Sequence, residues 1–330
     1  MSARTRTPAD ARMPLGIAPR TLFVTGKGGV GKTTIAAAMA TAWRDAGVRT
    51  LLVGLEGHAN AARLLSDKPV GYDPVALSPG LWAMSIDLDN ALREYARLRL
   101  KVKMLADRLV GSQVIEQFTQ AAPGFSELLV MGKLWWLSQL VDARKRRRYE
   151  AIVVDAPATG HGLGLLNMAG VVARMFPVGP IAAEARAIDD FVRDESESSV
   201  LLVTLPEEIP VNETLELRDR LIDHGIHVSE IVVNGVLPNR IRAVDADAVA
   251  AARTATDDPA MLAALDTALY EYQRSSAQET ELDRLITATG PVHTLPLRFA
   301  DTLDRADISE MAAHLSGARR RARTSTAGAS

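Results

Sequence analysis

The stretch TLFVTGKGGVGKTTIAAAMATAWRDAG, residues 21–47, constrains the fold more than any other part of the chain. It opens on a short strand-like run, crosses a loop with four glycines, and leaves on an alanine-rich helical pattern. Gly26, Gly31, Lys32 and Thr33 fill the fixed places of the pattern G-x-x-x-x-G-K-[ST]. A strand that turns into a helix through such a loop needs a further parallel strand beside it, which implies an α/β sheet. Its backbone N–H groups, from Gly26, Lys27, Gly28, Gly29, Val30 and Gly31 to Lys32, Thr33 and Thr34, suit a polyphosphate. Lys32 is placed for the terminal phosphates and Thr33 for Mg²⁺, so ATP and Mg²⁺ are the expected ligands. One lysine serves such a loop. Lys27 is a second, and its purpose is an open question at this level.

The same rhythm continues downstream. RTLLVG (49–54), AIVVDA (151–156), SVLLVTL (199–205), EIVVNG (230–235) and PVHTLP (291–296) are short apolar runs, as parallel strands buried on both faces require. With helical stretches between them they predict a doubly wound, mostly parallel sheet in one domain over 19–318. Helical insertions are expected at about 87–148 and 243–289, and an apolar helical segment at about 162–196. Residues 1–18 and 319–330 read as disordered ends. The run RKRRR (144–148) reads as the solvated last turn of a helix, with a nucleic-acid patch as the alternative.

Three further places carry chemistry. Glu56, on the loop after the second strand, is positioned to orient an attacking water, with Gly57 and His58 beside it. An ordinary acidic surface loop is the alternative. Asp155 ends an apolar strand, where open α/β sheets place ligands, and suits the Mg²⁺ shell. The glycines that follow it, Gly160 and Gly162, make the segment with Thr159 and His161 a candidate nucleotide sensor. Asn234 ends EIVVNG, and its carboxamide matches an adenine edge, although Asn-Gly is also a turn signal.

Taken in order, these pieces resemble the ArsA family of arsenite-pump and tail-anchored-protein-targeting ATPases, within the deviant-Walker P-loop NTPases. GKGGVGKTT matches the whole group. More selective are DAPATGH (155–161), APGFSELL (122–129), PVNETLEL (210–217), VVN (232–234) and LPL (295–297). The resemblance implies that Lys27 reaches across a dimer interface to the partner's phosphates, as an arginine finger does. It adds Pro296 and Leu297 to the nucleotide-binding set. It also implies a dimer of this chain with itself or with a paralogue, because the chain has one glycine loop. Two departures stand out. The family's S-T-D-P is here Gly54-Leu55-Glu56-Gly57, so glutamate replaces the water-positioning aspartate. The chain has no cysteine, which excludes the thiols of arsenite sensing and of the zinc clip between targeting subunits.

Composition narrows the partners. The 38 basic and 40 acidic side chains nearly cancel, so no nucleic-acid partner is expected. No apolar run of about 18 residues marks an integral membrane protein, and the start lacks a signal-peptide core, so a cytoplasmic protein is expected. Apolar helices over 125–141 and 164–176, with Trp135, Trp136, Met131, Met168 and Met175, suit either a groove for a protein or membrane client or internal packing. The expected function is an ATPase switched by nucleotide and coupled to such a client. A positioning ATPase of the cell-division or partition type, or an ATP-binding regulatory subunit, are the alternatives.

Overall fold

The computed structural model describes residues 13–18, 20–56, 60–100, 124–176, 178–300, 302–317 and 321. The expected α/β class is what it shows. An eight-stranded sheet runs in the order β3-β4-β2-β5-β1-β6-β7-β8. The strands are β1 (Thr21–Gly26), β2 (Thr50–Leu55), β3 (Val75–Ser78), β4 (Leu81–Ile86), β5 (Ala151–Asp155), β6 (Ser198–Thr204), β7 (Val228–Val236) and β8 (His293–Pro296). All neighbours pair in parallel except β3 with β4.

The apolar strands are read on both faces, as period-two alternation demands. Phe23, Val53, Val154 and Leu202 join one core cluster, while Leu22, Val24, Val153 and Leu201 join the other. The second face is covered by α1 (Lys32–Asp45) and a C-terminal helix, Arg305–Gly317. On the first lie α3 (Leu88–Leu100), α4 (Phe125–Gln139), α5 (Thr159–Met175), α6 (Pro180–Arg193) and α7 (Glu208–Asp223). The short α2 is Asn60–Arg63. The insertion expected over 243–289 is a helical hairpin, α8 (Ala243–Thr254) and α9 (Pro259–Thr289), and the C-terminal helix is α10. Only the second half of α9 is buried, through Ser275, Gln278, Leu282, Leu285 and Ile286. Ile308, Met311, Ala312 and Leu315 of α10 are also buried, so its thin apolar stripe is core.

Five sequence readings change. Order begins before residue 19: Pro14–Gly16 forms a 3₁₀ turn, and Leu15 and Ile17 are buried in the cluster under α1. The expected tail is not loose at Arg321, which bridges to Val292 through both backbone groups and pairs with Glu279. The rest of both ends lies outside the described residues. RKRRR is not a helical turn. α4 stops at Gln139, and the Asp142 carboxylate accepts from the backbone N–H groups of Arg144 and Arg146. That local turn outcompetes the helix, and Arg49 and Glu197 hold Arg147 against the sheet. Finally, β3 and β4 were absent from the strand pattern, and the apolar segment 162–196 is two helices with a break before Pro180.

Candidate functional site

β1 sits between β5 and β6, with its carboxyl end opening into the glycine loop. Gly26 has φ 152°, and a Cβ there would lie 2.1 Å from the Val203 backbone oxygen on β6. Only glycine fits so close an approach. Gly31 caps α1 at φ 95°, and a Cβ there would lie 2.5 Å from the Asn234 amide nitrogen. The loop therefore owes its shape to β6 and β7 as well as to its own glycines.

Register brings Asp155 to the same end. It pairs with Val24 of β1 on one side and Gly54 of β2 on the other. The Thr33 hydroxyl and the Lys32 ammonium both lie close enough to the Asp155 carboxylate to favour its charged form. Burial nevertheless raises the Asp155 pKa above the ordinary carboxylate value, outweighing both. Burial likewise lowers the Lys32 pKa, against the attraction of Asp155. Lys32 Nζ donates to the Lys27 carbonyl at 2.9 Å, which folds the lysine back over its own loop. Thr33 and Asp155 offer two oxygen ligands, the hard donors that Mg²⁺ prefers, with the remaining ligands left to phosphate and water. That donor set fits the metal.

The other predicted residues fall into three groups. Glu56 is two residues beyond Gly54 and exposed, with φ 59°, a conformation that costs a residue with a side chain. It lines a cleft of about 200 Å³ with Glu127 of the APGFSELL segment and His161 of DAPATGH. The structure thus joins three stretches distant in sequence in one cleft. Gly57 and His58 lie outside the described residues. Lys27 points elsewhere: its Nζ is 2.7 Å from Glu213 Oε1 on α7. Asn234 Nδ2 donates one N–H to the Val30 carbonyl at 3.0 Å and so braces the loop, a contact that uses only one of the hydrogen-bonding groups of its carboxamide. Leu297 follows β8, held by its N–H to the Val236 carbonyl, so it and Pro296 stay near the end of β7.

One clasp carried no sequence signal. The Thr25 hydroxyl donates to the Pro157 carbonyl at 2.8 Å, tying β1 to the segment after Asp155. Gly162 is buried beneath it, and a Cβ there would come within 2.8 Å of the Thr25 hydroxyl. Threonine at the end of a strand is too common for this role to be read from sequence. Neither metal-ligand clustering nor cysteine chemistry competes for the site. Among the described residues no group of three or more His, Cys, Asp or Glu is placed to hold a metal.

Comparison with known proteins agrees with this geometry. The family model described as anion-transporting ATPase matches residues 19–178 and 180–261. ATPase BagA of Mycobacterium tuberculosis is 33% identical over 230 residues, covering 68% of this chain and 67% of its own. The arsenical pump-driving ATPase of Acidiphilium multivorum is 30% identical over 251 residues, covering 71% of this chain. An Escherichia coli protein of the same name is 30% identical over 239 residues. The chain spans only 42% and 40% of those two pump-driving relatives. With its family model matched over most of its length, the chain belongs to the ArsA family of ATPases and is itself an ATPase.

Proposed function

We propose that the chain is a Mg²⁺-dependent ATPase that works as a dimer and couples its nucleotide state to a protein or membrane client. The observation that carries this is the junction of Lys32, Thr33 and Asp155 at the ends of β1 and β5. In this reading the loop amides and Lys32 hold the phosphates. Thr33 and Asp155 hold Mg²⁺, which when bound neutralises charge developing on the phosphoryl oxygens. Glu56 orients the attacking water, and the longer side chain than aspartate makes turnover slow. Lys27 of one chain serves the nucleotide of the other. Pro296 and Leu297 flank the base, with Asn234 bracing the loop beneath it.

The client surface is the helical layer. Met175, Phe176, Val178 and Ile181 are all exposed around the break between α5 and α6. They lead to a cleft that Ile181 shares with exposed Trp136. Exposed apolar runs of this kind favour association. Met131, by contrast, is fully buried and belongs to the core. Two observations bear on location and on the rival positioning ATPase. No described helix is long and apolar enough to cross a membrane, which suits a cytoplasmic protein that engages its client from outside the bilayer. The α10 stripe, which a membrane-targeted positioning ATPase would need free, is packed against α1 and the 3₁₀ turn.

The test mixes two inactive variants. Lys27→Ala removes the lysine donated across the interface, and Glu56→Gln removes the water-orienting carboxylate. In a mixed dimer both lesions fall in one site and the other is whole. Equal mixing should then restore about a quarter of wild-type turnover, since about half the dimers are mixed and each has one working site. Full turnover in Lys27→Ala alone, or no recovery despite proven subunit exchange, would overturn the composite site.

A further inference from the structure

The Lys27–Glu213 contact joins residues 186 apart in sequence. Both side chains are about one-third exposed, at 31% and 36%. The two partners are not equally free to move. Glu213 lies in the second turn of α7, whose Val211 and Thr214 are buried. The same turns are tied to α9, because Arg284 donates to Asn212 Oδ1 at 2.7 Å and to the Glu208 carbonyl at 3.3 Å. Lys27 instead begins an irregular loop, followed by exposed Gly28 and Gly29, where an added Cβ would meet nothing. The carboxylate is the fixed partner and the ammonium the movable one.

An ammonium held at contact distance by a carboxylate of its own chain is not aimed at a second chain. We propose that Glu213 is a positioning residue that keeps Lys27 in its own chain and yields it only to a second, phosphate-laden site. This rests on the composite-site reading above. The physical logic is an exchange of partners. Lys27 leaves one carboxylate only where several phosphate charges replace it, and a partner carrying ATP supplies them. Crossing thereby becomes conditional on nucleotide in the partner. A contact this exposed shifts an equilibrium by a few-fold, enough to bias assembly without blocking it.

Glu213→Gln keeps the shape and removes the charge. ATP-dependent dimerisation, followed by sedimentation velocity, should then be half-maximal at about 4- to 25-fold lower protein concentration, because each dimer releases two such contacts of about 2- to 5-fold each. ATP affinity of the single chain should be unchanged, because Lys32 and the loop amides are untouched. The gain should vanish when Glu213→Gln is placed on Lys27→Ala. Dimerisation that is unchanged or weaker in Glu213→Gln, or a gain that persists without Lys27, would overturn the proposal. A second measurement separates its failure from that of the composite site. Acylation of Lys27 by an amine-reactive reagent, read by mass spectrometry on the nucleotide-free single chain, should be about 2- to 5-fold faster in Glu213→Gln. Equal labelling rates would mean that Glu213 does not hold Lys27. Faster labelling with no ATP-dependent dimer in either protein would remove the composite site, and the proposal with it.

Discussion

Gly26 in the nucleotide loop and Gly124 at the start of α4 present the same problem with different answers. A Cβ on either would lie 2.1 Å from its nearest neighbour, and both have positive φ, at 152° and 90°. At Gly26 the neighbour is the backbone oxygen of Val203, in the middle of the sheet. At Gly124 it is the Met168 sulfur, with the next carbons of the same flexible chain behind it. The nucleotide end is thus a backbone-to-backbone fit that cannot yield without moving β6. The helical layer is a side-chain fit that a methionine can readjust. In the proposed reading the rigid end would hold phosphate and the deformable end would meet a client, the division of labour a nucleotide switch needs.

The sharpest way to break this comparison is Gly26→Ala. The strand cannot move, so the variant should lose about 3 kcal/mol or more of stability, near the top of the range for overpacking with backbone strain. Urea denaturation measures it, and a loss below about 1 kcal/mol would show that the loop end is as pliable as the helical layer.

Asp155→Asn sharpens the comparison by parting activity from stability at the rigid end. Burial raises the pKa of Asp155, so its ionised form is disfavoured by folding. The sign follows from linkage: the folded state binds this proton more tightly than the unfolded one, and stability falls as pH rises through the raised pKa. At neutral pH the asparagine variant should therefore be at least as stable as wild type. Its turnover should nevertheless fall about 100-fold, with a weaker Mg²⁺ requirement. Wild-type turnover in the variant would remove Asp155 from the site.

Gly124→Ala should have the smallest effect. Met168 can swing aside, which leaves mainly the cost of positive φ for alanine, about 1–2 kcal/mol. ATP turnover should be unchanged within about 2-fold, because the strain stays in the helical layer. A loss of stability matching that of Gly26→Ala would erase the difference between the two regions.

What could be read in the sequence was what neighbours along the chain decide. The loop from Gly26 to Thr33 declares its turn through fixed spacing, and the strand that feeds it declares itself through unbroken apolar character. Asp155 was legible for the same reason, because an acid ending a buried strand has one place to go in such a sheet. LWAMSI of β4 carried a usable signal, an apolar run behind the turn at Gly80. VALS of β3 did not, because an antiparallel edge strand is short and half exposed.

The rest was decided by which elements the sheet order makes neighbours. Asn234 braces Val30 across 204 residues, and Glu213 meets Lys27 across 186, because β7, one strand beyond β6, and α7 both return to the loop that follows β1. No spacing rule spans such distances. Arg321 is ordered because Val292, just before the edge strand β8, offers it backbone groups to pair with, and RKRRR is a turn because Asp142 can reach its amides. Sequence by itself set the chemistry of the loop, through covalent spacing and side-chain type. Tertiary structure alone decided which carboxylate each lysine faces, because charge pairing acts through a few ångströms of space and is blind to distance along the chain.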